Sequence, residues 1–211
     1  MFIPEGFVFK RPGDKLVFET NYQNDAYQIK NLIKDFDIII DIGAHIGTVS
    51  RFCLDNGAKH VVGVEAHPDG YSSLVENCGM FSNFEAIYGF ATSEQYSKTR
   101  PLTREYDKTP FSEKHFILSE FLKPHIGKKI CVKIDIEGWE YAVLLDLKIN
   151  NLYDKIDYII GEYHHSETPE IVVIKTNEDV VKFFNEVTTK KTEFRGMTKN
   201  PPYILGEFII K

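Results

Sequence analysis

Acidic residues and histidines end the apolar runs of this chain. Asp41 closes Ile38-Ile39-Ile40, and Glu65 closes Val61-Val62-Gly63-Val64. Asp135 and Glu137 close the run beginning at Ile130, while Glu162, His164 and His165 close the run beginning at Tyr158. Residues two apart on an extended strand face the same side. Asp135 with Glu137, and Glu162 with His164, would therefore converge if their strands are neighbours. Three behaviours fit such a set. It could be a solvated strand edge. A carboxylate or His164 could take a proton from a substrate hydroxyl. Asp135, Glu162 and His164 could hold a divalent cation that acidifies the hydroxyl. The residues alone leave base and metal open.

The run Asp41-Ile42-Gly43-Ala44-His45-Ile46-Gly47 lies between an apolar strand and a helical pattern, and reads as a strand–turn–helix junction. Gly43 permits a sharp turn close to a ligand, and Gly47 permits tight packing of the helix start against strand or cofactor. A carboxylate at the end of the next strand, here Glu65, is placed to accept hydrogen bonds from a ribose. A dinucleotide turn has glycine where this chain has Asp41, because it approaches a pyrophosphate anion. An acid there would repel phosphate and favour the positively charged S-adenosylmethionine. An ordinary βαβ crossover needs the same glycines; Glu65 in register favours the cofactor. His45, inside the turn, is expected to pack beside the cofactor rather than act as a base.

The positioning elements follow from periodicity and turn residues. Residues 7–19 predict a hairpin about Pro12-Gly13-Asp14. Asn24 or Asp25 would cap a helix carrying Ile29, Leu32, Ile33 and Phe36 on one face. Parallel strands are expected at 37–41, 60–65, 85–90, 130–136 and 158–163, with helices between them starting near Ile46, Pro68 and Trp139. The polar stretch 92–114 reads as a lid or binding loop, and 118–122 as a short helix stopped by Pro124. A helix carrying Val180, Phe183, Phe184 and Val187 precedes two edge strands, 186–194 and 203–210. This alternation predicts an α/β fold: one Rossmann-like domain whose mostly parallel sheet carries helices on both faces. Its parts would be an N-terminal hairpin and helix (1–34), a cofactor-binding and catalytic core (35–165) and a C-terminal helix with an antiparallel strand pair (166–211).

Composition narrows the class. The 211 residues, 43% hydrophobic, suit one domain, and a net charge of −6 supplies no basic field for nucleic acid. Cys53, Cys78 and Cys131 lack the spacing of a disulfide frame or zinc site. No signal-peptide or membrane-spanning run is evident, so a soluble, cytoplasmic protein is expected; a homodimer is compatible with the sequence. Trp139 is expected in the core, and His60, His67, His115 and His125 at surface or loop positions. Asn200-Pro201-Pro202-Tyr203 imitates a motif of amino-group methylating enzymes, but too few residues follow it for the remaining strands. It reads as a proline turn.

Three blocks together resemble the FkbM family of S-adenosylmethionine-dependent methyltransferases: Asp41–Gly47, Val64-Glu65-Ala66-His67-Pro68 and Lys133-Ile134-Asp135-Ile136-Glu137-Gly138-Trp139-Glu140. The third is the most specific. Ile117–Leu122 and Ile160–His164 add weaker likenesses, with Ser119 where the family usually has Asp. The resemblance implies a class I methyltransferase fold, a seven-stranded sheet with its last strand antiparallel. It also implies O-methylation of a sugar or other small natural product. By motif, Asp41, Gly43, Ala44, Gly47 and Glu65, with Ala66 of the second block, would hold the cofactor. Ala91-Thr92-Ser93 would lie by the adenine, and Asp135 and Glu137 at methyl transfer. Methylation of a protein or nucleic-acid group, or a catalytically silent binding protein, are the competing functions.

Overall fold

The structure, a computed structural model, describes residues 3–98, 109–168, 170–197 and 205–211. The N-terminal segment carries helix α1 (Asp14–Phe18) and a π-helical turn (Glu19–Gln23). The following elements are β1 (Ile38–Ile42), α2 (Thr48–Asp55), β2 (Val61–Glu65), α3 (Pro68–Cys78), β3 (Phe84–Tyr88) and β4 (Phe90–Thr92). Next come β5 (His115–Ile117), α4 (Leu118–Leu122), β6 (Ile130–Ile134), α5 (Glu140–Ile149) and β7 (Tyr158–His164). The chain closes with β8 (Ser166–Thr168), β9 (Val172–Ile174), α6 (Asn177–Val187), β10 (Thr192–Arg195) and β11 (Leu205–Ile210).

Seven strands form one sheet in the order β10-β11-β7-β6-β1-β2-β3. The pairs among β7, β6, β1, β2 and β3 are parallel, and β11 runs antiparallel to both neighbours. The last strand is thus the reversed one, as the family resemblance implies. The central strands β1, β2 and β6 are buried along their whole length, which matches their continuous Ile and Val runs. One core cluster gathers β-strand residues with α4, α5 and α6; a second packs α2, α3 and the segment 27–36 on the sheet. The order reverses between β1 and β6, and ligands of open α/β sheets bind at such a switch point.

The N-terminal hairpin does not form. Asp14 instead accepts the amides of Lys10 and Arg11, making a tight turn into α1. Val8 pairs with the side chain of Asn77 on α3 rather than with a second strand. Phe7, Phe9 and Phe18 close this segment as a ring cluster. The expected helix over 25–36 is also absent, apart from a 3₁₀ turn at Ile33–Asp35. Asp25 and Gln28 have φ of 46° and 54°, which a helix cannot contain. Ile29, Ile33 and Phe36 are still buried, so the periodicity reported burial correctly and conformation wrongly.

The third predicted strand is two strands. At Gly89, whose amide donates to the Glu65 carbonyl, the chain leaves the main sheet and β4 pairs with β5. The fourth is shorter than expected, ending at Ile134, and residues 186–187 belong to α6 rather than to an edge strand. The middle of the expected lid, 99–108, and the whole of 200–203 lie outside the described residues. Cys53, Cys78 and Cys131 are free and buried. Among the described residues no helix is long and apolar enough to cross a membrane.

Candidate active site

The turn after β1 is strapped to β2: the amides of Gly43 and Ala44 both donate to the Val64 carbonyl. Gly43, at φ 78°, passes so close to the residue after β6 that a Cβ there would stand 1.9 Å from the Asp135 carbonyl. Glycine is therefore obligatory. Gly47 takes a different part from the one its motif implies. It N-caps α2 at φ 86° and faces Leu74 and Cys78 of α3, so it packs two helices and does not line the cavity described below.

Asp41 also departs from expectation. Its carboxylate is fully buried, accepts the amide and hydroxyl of Ser50, and lies 3.1 Å from Lys133 Nζ. Lys133 donates to the Gly43 carbonyl at 2.9 Å and sits 3.8 Å from Asp135. Burial opposes the ammonium charge, but Asp41 and Asp135 outweigh it and its pKa is raised. The acid at the bend is thus neutralised from beneath. It stiffens the turn instead of presenting an open charge to a cationic ligand.

Glu65 ends β2 buried, with one carboxylate oxygen accepting the amide of His45 and the other that of His67, both at 2.8 Å. Each oxygen keeps a lone pair. Gly70 lets the start of α3 approach this carboxylate: a Cβ there would lie 3.1–3.2 Å from it. His67 is consequently buried at the N-cap of α3, not at the surface.

Beyond β6 the chain turns out of the extended conformation, because Glu137 and Gly138 have φ of 57° and 98°. Asp135 and Glu137 therefore do not share a strand face, and the Glu137 side chain is largely exposed. Glu140 explains the turn. It is fully buried, and its two oxygens accept the amides of Ile136 and Gly138, while one of them also meets His164 Nδ1 at 2.7 Å. Burial opposes charging of His164, but Glu140, then Asp135 and Glu137, raise its pKa to about 10. These carboxylates favour the imidazolium at neutral pH. Glu162 lies 3.8 Å from His164 Nε2, and Glu137 lies 3.7 Å from it. Burial and the nearby Asp135 push the Glu162 carboxyl up to about 7, against the pull of His164 and Lys133.

These ends surround a cavity of about 650 Å³, within the range of small-molecule sites. Of the residues the sequence assigned to a cofactor, Gly43, Ala44, His45, Glu65, Ala66, Ala91 and Asp135 line it; Asp41 and Gly47 do not. Glu137 reaches the wall, whereas Glu162 and His164 stand beside it. Trp139 is buried and also lines the cavity, edge-on to Phe90 with ring centres 5.1 Å apart. For a divalent cation, the atoms that come together are those of Asp135, Glu140 and His164, with Glu140 in place of Glu162.

Sequence reasoning missed Lys133, Glu140, Tyr27 and the wall residues Val17 and Asn21. Lys133 and Glu140 sit inside the most specific block, and burial of charge within an apolar strand could have flagged Lys133. Tyr27 donates to Asp135 across 108 positions of sequence, and nothing local announces it.

Among solved structures, the N-terminal domain of EvdMO1 with SAH bound superposes with a TM-score of 0.60 at 10% identity, covering 98% of this chain and 90% of that one. SMU.1697c from Streptococcus mutans, a putative methyltransferase in complex with SAH, gives 0.52 at 12% identity, covering 97% and 100%. Protein arginine N-methyltransferase 1 of Saccharomyces cerevisiae is 32% identical over 102 residues, 48% of this chain and 26% of that protein. Protein arginine N-methyltransferase 1.1 of Arabidopsis thaliana is 54% identical over 44 residues, 21% of this chain and 11% of that protein. The chain thus spans about a quarter or less of the curated relatives it matches. The family model of the methyltransferase FkbM domain matches residues 41–191, most of the chain, so this protein belongs to that family.

Proposed function

We propose that this protein methylates a hydroxyl of a sugar or other small natural product, with Glu162 as the proton acceptor. When bound, S-adenosylmethionine supplies a methyl group made electrophilic by its sulfonium. In this reading Glu65 holds the ribose hydroxyls, Ala66 and Ala91 flank the adenine, and Gly43 with Ala44 admits the cofactor against bare backbone. Asp135, 3.8 Å from the Lys133 ammonium, would face the donor's positive charge. The acceptor enters over the ends of β6 and β7. Transfer of the methyl from the donor's sulfur to the acceptor's oxygen would leave that oxygen's proton for Glu162 to take. Alignment within a water-poor cavity supplies much of the rate.

One observation carries this reading: two interacting carboxylates, one of them in the cavity wall, are held in different environments. Asp135 is paired with Lys133, while Glu162 has a carboxyl poised near neutrality. Purified protein incubated with S-adenosylmethionine and a panel of sugars and natural-product alcohols should release S-adenosylhomocysteine, and Glu162→Gln should suppress the release. Unaltered turnover after EDTA treatment is expected; loss restored by Mg²⁺ would replace the base with a metal.

Local similarity to the two arginine N-methyltransferases supports a second reading, transfer to a protein nitrogen. Methylation of an arginine-bearing peptide with none of the alcohol panel would establish it. Tight cofactor binding without transfer to any acceptor would favour a silent binding protein.

A further inference from the structure

We infer that Tyr27, which precedes the matched family region, is a positioning residue for the cofactor, acting through Asp135. Its hydroxyl donates to Asp135 Oδ2 at 3.0 Å, and Lys133 Nζ lies 5.6 Å from its ring centre. Asp135 thus has a neutral donor on one side and the Lys133 ammonium at 3.8 Å on the other. Lys133 in turn holds Asp41 and the Gly43 carbonyl, so Tyr27 is the outermost member of a chain that fixes both the cofactor turn and the residue facing it. Burial, then Asp135, hold the phenol pKa well above its ordinary value, so the hydroxyl keeps its proton and remains a donor.

The segment around Tyr27 is built for this placement. Asp25 and Gln28 bracket it in left-handed backbone, and the Gln28 amide closes the turn on the Asp25 carbonyl at 2.7 Å. The Asp25 carboxylate accepts the amides of Ile29 and Lys30. Left-handed non-glycine residues cost stability and persist where the surroundings over-determine them. What this strain delivers is a phenol, 1% exposed, carried to a carboxylate in the cavity wall. A hydrogen bond from a neutral donor fixes the direction of a carboxylate as well as stabilising its charge.

The inference rests on the cofactor assignment proposed above, and a mutant cycle separates the two. Tyr27→Phe removes one oxygen and keeps the buried ring. Affinities for S-adenosylmethionine and S-adenosylhomocysteine would be measured by titration calorimetry for the wild type, Tyr27→Phe, Asp135→Asn and the double variant, with melting curves alongside. Tyr27→Phe should weaken binding about ten-fold in the wild-type background and less than three-fold when residue 135 is Asn. Equal losses in both backgrounds, or a lowered melting temperature with affinity unchanged, would make Tyr27 a packing residue and overturn the inference. Wild-type protein that takes up neither ligand would remove the cofactor assignment as well.

Discussion

Glu65→Ala separates the two tasks of one carboxylate. In the structure each oxygen satisfies a buried amide at 2.8 Å, from His45 and His67, and the remaining lone pairs are assigned to the ribose. Removing the carboxylate should cost about 1.5–3 kcal/mol of S-adenosylhomocysteine affinity, the scale of hydrogen bonds to a charged group, or roughly a ten- to 150-fold rise in Kd. The two amides left behind add a separate loss, about 1–3 kcal/mol of folding stability once water has relieved part of it. For a chain of this length each kcal/mol lowers Tm by about 2–4 °C. Glu65→Gln is no gentler to the turn, because its NH₂ must face one of the two amides. Calorimetric titration with S-adenosylhomocysteine reads the first effect, and a melting curve of the free protein reads the second. A Tm several degrees lower with Kd within two-fold of wild type would show that Glu65 only braces the turn, and the ribose assignment would be refuted.

Other expectations follow from the same geometry. Lys133→Met leaves Asp41 as an uncompensated buried charge and should cost about 3–5 kcal/mol in urea unfolding, partly recovered by adding Asp41→Asn; a loss under about 1 kcal/mol would contradict the pairing. Gly43→Ala must place a methyl against the Asp135 carbonyl at positive φ, and should cost about 3 kcal/mol. Wild-type stability of that variant would show that the two turns are not in contact. The Glu162 carboxyl, raised from its usual 4.5 to about 7 in the fold, contributes stability that is fully present below pH 4.5 and lost as pH climbs through 7. Glu162→Gln should therefore gain Tm relative to wild type at pH 8 and not at pH 4.5, and a pH-independent difference would remove the desolvation argument. His164 follows pH in the same sense as Glu162, over a higher range. Its folded pKa near 10 contributes stability below its ordinary 6.5 that fades toward pH 10, so His164→Gln should be most damaging under mildly acidic conditions. A Tm loss that grows with pH would overturn the imidazolium.

Much of this protein was written in short-range patterns. Buried parallel strands need uninterrupted Ile and Val, and a turn that meets neighbouring backbone needs glycine. The parallel sheet, the strand–turn–helix at 41–47, Glu65 and the Lys133–Glu140 block were therefore legible from residue type and spacing. Tertiary structure decided where the charges went. Asp41 appeared to offer its carboxylate to a cation until Lys133, arriving from β6 at hydrogen-bonding distance, neutralised it inside the core. Glu137 lost its alternation with Asp135 because Glu140 reaches back to the amides of 136 and 138 and bends the chain. The same spacing that buries Ile29 and Ile33 also suits a helix, and only the contact of Tyr27 with Asp135 and the turn at Asp25 select the irregular path. Pairing energies depend on distances across the fold, through a medium whose screening is set by burial. No local window of sequence contains them.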